Sequence, residues 1–304
     1  MNNYKSGFVT LLGRPNVGKS TLINKLVGEK IAITSSKAQT TRNKLKGILT
    51  TSISQIIFID TPGIHKPHHL LGQKLVNNAK SAIAGVDLTL LIFDSNEEPG
   101  KGDSYIRDFL IKSQSKFIVV LNKWDLIKEN QKIIRKNQYN QLFENKLIHF
   151  QPLSAFTGEG CKELIKVIES FLPNGPMLYP KDTISDQPFN ILLSELVREQ
   201  VLQRTKEEIP HSVAVNIEKL EKLRRKEKTD LTAILATIIV ERKSQKGILI
   251  GKGGVMLKEI GASARKNMMK LIDGPIYLEL FVKVVPNWRK KESKLIEFGY
   301  KEEA

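Results

Sequence analysis

Apolar residues in the first half of the chain fall into short, nearly continuous runs. These runs occupy residues 7–12, 54–60, 87–94 and 116–121, and they read as strands buried on both faces. Between them the apolar positions recur at helical spacing. Leu22, Leu26 and Val27 mark one face after the first run, and residues 102–112 and 131–145 are amphipathic. Leu164, Ile165, Ile168 and Phe171 mark a further helix over 160–171. Strands alternating with helices predict an α/β fold with a doubly wound, mainly parallel sheet. Residues 46–51 are expected to pair with 54–60, and 148–153 to form a last strand with Pro152 near its end. The stretch 35–43 is rich in Ser, Thr and Lys, and it reads as an exposed, mobile loop.

The pattern changes at residues 172–180, where three prolines and a glycine stop the helix and make a semi-rigid linker. The expected division is 1–172 for the first domain, 173–189 for the linker and 190–304 for the second. In the second domain 190–206 is an amphipathic helix, and 212–217 and 231–240 are strands. The charged stretch 218–230 reads either as a solvated hairpin tip or as a nucleic-acid contact. Ile248, Leu249 and Ile250 precede a glycine turn and a second helix, and Ile276–Val284 is a further strand. Trp288 and residues 295–300 suggest a docked C-terminal helix.

Charge narrows the partners. The chain has 304 residues, a net charge of +16 and a pI near 9.7, which favours a polyanion: nucleic acid first, an anionic membrane surface second. Residues 1–180 hold 24 Lys and Arg against 14 Asp and Glu, and the remainder holds 24 against 18, so no single tail explains the excess. Cys161 is the one cysteine, which excludes an intrachain disulfide and a zinc–cysteine cluster and allows a reducing compartment. It reads as a buried small side chain. The first residues lead directly into a strand, so no leader is expected, and no apolar run approaches a membrane span.

Four motifs carry the chemistry. Gly13, Arg14, Pro15, Asn16, Val17, Gly18, Lys19 and Ser20 fit G-x-x-x-x-G-K-(S/T) between a strand and a helix that begins near Thr21. Glycines let backbone N–H groups close around phosphate, and the helix N-terminus favours the anion. Lys19 is expected to reach the β- and γ-phosphates, and Ser20 to hold Mg²⁺. Asp60, Thr61, Pro62 and Gly63 follow a strand end that faces the ligand crevice of such a sheet. Asp60 would bind Mg²⁺ through water, and Gly63 would offer its N–H to the γ-phosphate.

Asn122, Lys123, Trp124 and Asp125 fit N-K-x-D. The Asp125 carboxylate would accept from N1–H and the exocyclic amine of guanine, a donor pair that adenine lacks. Asn122 would tie this loop to the phosphate loop, the Lys123 stem would cover the base, and Trp124 is a packing residue. Ser154, Ala155 and Phe156 would bring a backbone N–H to guanine O6. In the second domain Gly251, Lys252, Gly253 and Gly254 fit G-x-x-G, where the backbone approaches a nucleic-acid strand closely. Residues 242–270 hold eight Lys or Arg, Lys258 and Arg265 among them, against one acid, Glu259. His65, His68 and His69 lie in the loop after Gly63 and are assigned to that loop rather than to a metal.

This ordered motif set resembles the translation-factor-related GTPases, and within them the TrmE-Era branch, on the 13–20 loop, Gln39-Thr40-Thr41-Arg42 and Asp60-Thr61-Pro62-Gly63-Ile64. The order helix, strand, strand, helix, G-x-x-G, helix, strand resembles a type II KH domain, an α+β fold. The chain resembles the Era family over nearly its full length; the extra helical domain and C-terminal cysteine motif of TrmE are absent. The resemblance implies binding of GTP and GDP with Mg²⁺, and a switch segment of Gln39, Thr40, Thr41, Arg42, Asn43 and Ile64. Thr41 would be the switch threonine on Mg²⁺, although Thr40 is also in register. Ile64 stands where other GTPases carry a water-orienting Gln, which implies slow hydrolysis. Asn16 stands where relatives ligate K⁺. The resemblance further implies a monomeric cytoplasmic GTPase that binds 16S ribosomal RNA near its 3′ end through the KH domain. It also implies a role in assembly of the 30S subunit and peripheral contact with the cytoplasmic side of the cell membrane.

Overall fold

The computed structural model describes residues 4–300 apart from 36, 38–40, 43, 64–76, 78–80, 84, 145–147 and 225–229. Gln39, Thr40, Asn43, Ile64 and the three histidines after Gly63 therefore lie outside the described residues. The first half is a six-stranded sheet of β1 (Lys5–Leu12), β2 (Leu45–Thr50), β3 (Ser54–Asp60), β4 (Leu88–Asp94), β5 (Phe117–Asn122) and β6 (Phe150–Pro152), in the order β2-β3-β1-β4-β5-β6. All pairs are parallel except β2 with β3.

The continuous apolar runs have a direct cause. Along β4 and β5, Leu90, Ile92, Ile118 and Val120 pack on one face with α1 (Lys19–Val27) and α4 (Cys161–Phe171). Leu91, Phe93, Val119 and Leu121 pack on the other with α2 (Lys101–Lys112) and α3 (Glu129–Leu142). Both faces are covered, so both parities of each strand are apolar. Cys161 is buried, and burial pushes its thiol up to about 11. Because β1 lies between β3 and β4, the loops after β1 and β3 open on one crevice at the strands' C-terminal ends.

Residues 172–188 run as a strap along this sheet. The Ile48 N–H donates to Ile184 O at 2.9 Å, Gln55 Oε1 accepts from the Leu178 and Tyr179 N–H groups, and Lys46 pairs with Asp186 at 2.8 Å.

The second half begins with α5 (Phe189–Arg204) and the single turn α6 (Ile209–Ser212). The antiparallel pair β7 (Ala214–Arg224) and β8 (Asp230–Val240) is followed by α7 (Lys243–Ile250), α8 (Val255–Met268) and β9 (Ile276–Val284), which joins β8 in parallel. Leu196, Val201, Leu249, Ile260 and Ala264 pack the helices on one face of this sheet. Ala214 and Ile239 meet Trp288, Leu295, Phe298 and Tyr300 of the C-terminal segment with α9 (Glu292–Glu297) on the other. β7 runs to Arg224, well beyond the expected end at 217, whereas β8 matches its expected range within one residue. The added residues described in β7 are exposed, so no apolar period marked them.

Candidate functional site

The loop after β1 wraps the N-terminus of α1. Gly18 sits at φ 97°, and a Cβ built there would come within 2.2 Å of Asn122 Nδ2, so only glycine fits. Asn122, 2% exposed, donates to Val17 O at 2.7 Å and accepts the Ala155 N–H at 2.9 Å. One amide thus draws together the phosphate loop, the N-K-x-D loop and the Ser154 loop. Lys123 pairs with Asp94 at the end of β4, Trp124 is partly buried against the α3 core, and Asp125 is exposed. Arg14 is held by Asp103 at 2.7 Å and Glu97 at 2.8 Å, and Asp103 also accepts the Gly100 N–H before α2.

Lys19 is buried, and its ammonium donates to the Gly13 and Arg14 carbonyls at 3.2 and 3.0 Å. Burial lowers it to about 8, opposed by the nearby Asp60 charge. Asp60 is fully buried, and burial raises its carboxyl against the pull of Lys19. Each group is short of countercharge, a condition that a phosphate and a divalent cation would relieve.

Beside them three oxygens form a triangle. Ser20 Oγ lies 2.8 Å from Thr41 Oγ1 and donates to Asp60 Oδ2 at 2.8 Å, and Thr41 Oγ1 donates to the same oxygen at 3.0 Å. Asp60 Oδ1 is buried without a hydrogen-bond partner. An all-oxygen set with an orphaned carboxylate oxygen fits a hard cation such as Mg²⁺. A cavity of about 730 Å³ holds the triangle's two hydroxyls, and Asn16, Gly63, Lys123 and Phe156 also line it. Asn16 adopts φ 65° and lines this cavity together with Thr34 and Ser35. Among the described residues no cluster of three His, Cys, Asp or Glu could hold a metal.

The second site lies between α8 and β9. Gly251, Gly253 and Gly254 all have positive φ, and at Gly251 a Cβ would meet Met256 Cβ at 2.8 Å. The turn therefore presents bare backbone at the start of α8. Lys252, Lys258 and Arg265 are exposed, and a groove of about 470 Å³ is lined by Leu257, Lys258, Gly261, Arg265, Tyr277 and Leu280. Apolar walls with cations along the rim suit unstacked bases and a phosphate chain.

The polar loop is where sequence reasoning and structure part. Arg42 is 1% exposed and reaches into the second half, where α5 carries the buried Arg198, Glu199 and Gln200. No local pattern in the sequence marks this contact, since the partners of Arg42 lie 168 or more residues along the chain.

A model of the 50S ribosome-binding GTPase family matches residues 8–123, and a KH domain model matches 208–289. The chain is 53% identical to the GTPase Era of Rippkaea orientalis, covering 98% of this chain and 93% of that protein. It is 51% identical to the GTPase Era of Synechocystis sp., covering 99% and 94%. Among solved structures, Era in complex with MgGDPNP and nucleotides 1506–1542 of 16S ribosomal RNA superposes with TM-score 0.93 at 39% identity, over 98% of this chain and 99% of that one. A variant of Aquifex aeolicus Era bound to GDP.AlF4− superposes with TM-score 0.92 at 38% identity, over 97% and 99%.

Proposed function

The chain belongs to the Era family of GTPases, and from that premise we propose that it is a guanine-nucleotide switch whose output is binding of 16S ribosomal RNA near its 3′ end. Residues 1–172 make the GTP-binding domain, 173–189 a linker that holds most of the strap and the first residue of α5, and 190–304 the RNA-binding KH domain. The reaction converts GTP to GDP and phosphate. The observation that carries the reading is the convergence on one crevice of Lys19, the Ser20–Thr41–Asp60 triangle and the Asn122-tied base loops.

In the working site Lys19 leaves the loop carbonyls for the β- and γ-phosphates, and the backbone N–H groups of residues 16–21 close around them. Ser20, Thr41 and Asp60 would hold Mg²⁺, which would supply positive charge against the phosphates. Asp125 selects guanine, and Phe156 and the Lys123 stem border the base. No general base is needed beyond positioned water, because phosphoryl transfer rests on placement and charge. Ile64 offers no polar group to orient that water, so intrinsic turnover is slow. Asn16 would hold K⁺, which would supply transition-state charge that other GTPases take from an arginine.

The C-terminal half threads single-stranded RNA over Gly251–Gly254, with Lys252, Lys258 and Arg265 on phosphates. The function served is assembly of the 30S subunit in the cytoplasm. No described helix is long and apolar enough to cross a membrane. Sequencing RNA crosslinked to the protein in cells tests the reading. Enrichment at the 3′ end of 16S RNA is expected; enrichment of transfer RNA or of no RNA would contradict it.

A further inference from the structure

Thr41 has a neighbour that serves the other half of the molecule. Arg42 Nη1 donates to Val213 O at 2.6 Å and to the Tyr300 hydroxyl at 3.2 Å. Its Nη2 donates to Pro210 O at 2.9 Å and His211 O at 3.2 Å. The guanidinium also lies 5.7 Å from the Tyr300 ring centre. The carbonyls belong to the end of α6 and the residue after it, so the cation meets backbone dipoles pointing towards it. Burial pushes Arg42 below its ordinary value, and the surrounding oxygens and phenol keep the charge in place.

The same segment is held at its other end. Glu199 of α5, fully buried, accepts Lys30 Nζ at 2.6 Å and the Thr34 N–H at 2.9 Å. Ile33 packs within the core of the second half, beside Leu193 and Val197. Elsewhere the halves face each other across a cleft of about 800 Å³ bordered by Lys46, Asp186, Ile217 and Phe298. Lys30, Ile33, Thr34 and Arg42 thus clasp the first half onto the second.

We propose that Arg42 is a positioning residue: its socket in the C-terminal half holds Thr41 at Ser20 and Asp60, which makes nucleotide state and the seating of the RNA-binding half one coupled equilibrium. Adjacent Cα atoms are about 3.8 Å apart, so Thr41 cannot move far from the triangle while Arg42 stays seated. A ligand that draws Thr41 in stabilises the seated half, and a ligand that favours the seated half draws Thr41 in. The inference rests on the reading of Thr41 as a metal ligand in the triphosphate state.

The test measures affinities of the full-length protein for GDPNP and for GDP, each with Mg²⁺ and without RNA. Switch contacts depend on the γ-phosphate, so only GDPNP should feel the loss. Arg42→Ala is expected to weaken GDPNP about tenfold, within the usual range of coupling between sites, and to leave GDP within about twofold. Arg42→Lys keeps the charge but loses the planar fork, and should recover little. Should Arg42→Ala fail to fold, Tyr300→Phe removes one hydroxyl from the socket and should weaken GDPNP by about two- to threefold with GDP unmoved. Equal shifts for both nucleotides, or none in a folded variant, would overturn the proposal.

A second arm titrates an RNA of the 16S 3′ end against wild type and variant in each nucleotide state. By reciprocity the wild-type difference between states should collapse towards one in Arg42→Ala. A wild type that binds RNA equally in both states would overturn the coupling. A wild type that binds no RNA would overturn the RNA reading, while the nucleotide ratio still decides the role of Arg42.

Discussion

In the nucleotide pocket Lys19, Asp60 and Asn122 are buried, and most of their polar atoms are already engaged by neighbouring loops. In the groove of the C-terminal half Lys252, Lys258 and Arg265 stand in water around apolar walls. The difference teaches where specificity comes from. A buried set rejects a wrong ligand because a lost partner leaves an unpaired group behind. An exposed cationic rim attracts any polyanion and selects by shape and stacking, with each contact weak and screened by salt.

The contrast should show first in Lys19→Ala. Turnover of GTP should fall by about 10²–10³-fold, the usual cost of removing one preorganised charge. RNA affinity of the nucleotide-free protein should stay within about twofold. Parallel turnover and RNA titrations check both. The wild-type pH profile sharpens the same point. Lys19 titrates near 8 in the empty site, and bound phosphate raises it, so binding takes up a proton at higher pH. Nucleotide affinity should therefore be flat below about pH 8 and fall by up to about tenfold per unit above it.

Asp125→Asn should weaken GTP about a hundredfold, since bonds to a charged acceptor contribute ~1.5–3 kcal/mol each. The amide can donate to the 2-oxo group of xanthine, so the variant should gain xanthosine triphosphate; unchanged GTP affinity would remove Asp125 from the base site. The smallest effect concerns the monovalent ion. Replacing K⁺ with Na⁺ at equal ionic strength should slow turnover by about three- to tenfold, with Asn16→Ala insensitive to the exchange. Equal rates in both salts would remove K⁺ from the mechanism.

The same division governs what the sequence made legible. Strands β1, β3, β4 and β5 announce themselves because both faces are buried, and the three loops of the pocket are contiguous motifs at strand ends. Asp60 and Asn122 are legible because each is the last residue of an apolar strand. The G-x-x-G turn was readable only through its context of helices and local charge. Arg42 was not readable: its polar surroundings suggest an exposed loop, whereas its partners lie 168 or more residues away. Glu199 shares that blindness, since its helix is buried on the polar side by the segment it holds. Contacts between distant segments leave no periodic trace.

The most direct test of the account is RNA binding by Gly253→Asp across a salt series, with GTP turnover measured alongside without RNA. Gly253 has φ 61°, a region Asp tolerates better than most residues, and no atom crowds a Cβ there, so the variant should fold. The new carboxylate lies where the backbone approaches phosphate. RNA affinity should fall by about tenfold or more, ~1.4 kcal/mol at least, with GTP turnover within about twofold of wild type. Wild-type affinity should fall with salt at a log–log slope of about −0.7 per phosphate contact. A folded Gly253→Asp protein that binds the 16S 3′-end RNA as tightly as wild type would contradict the account, and would reduce the basic rim to a solvated surface.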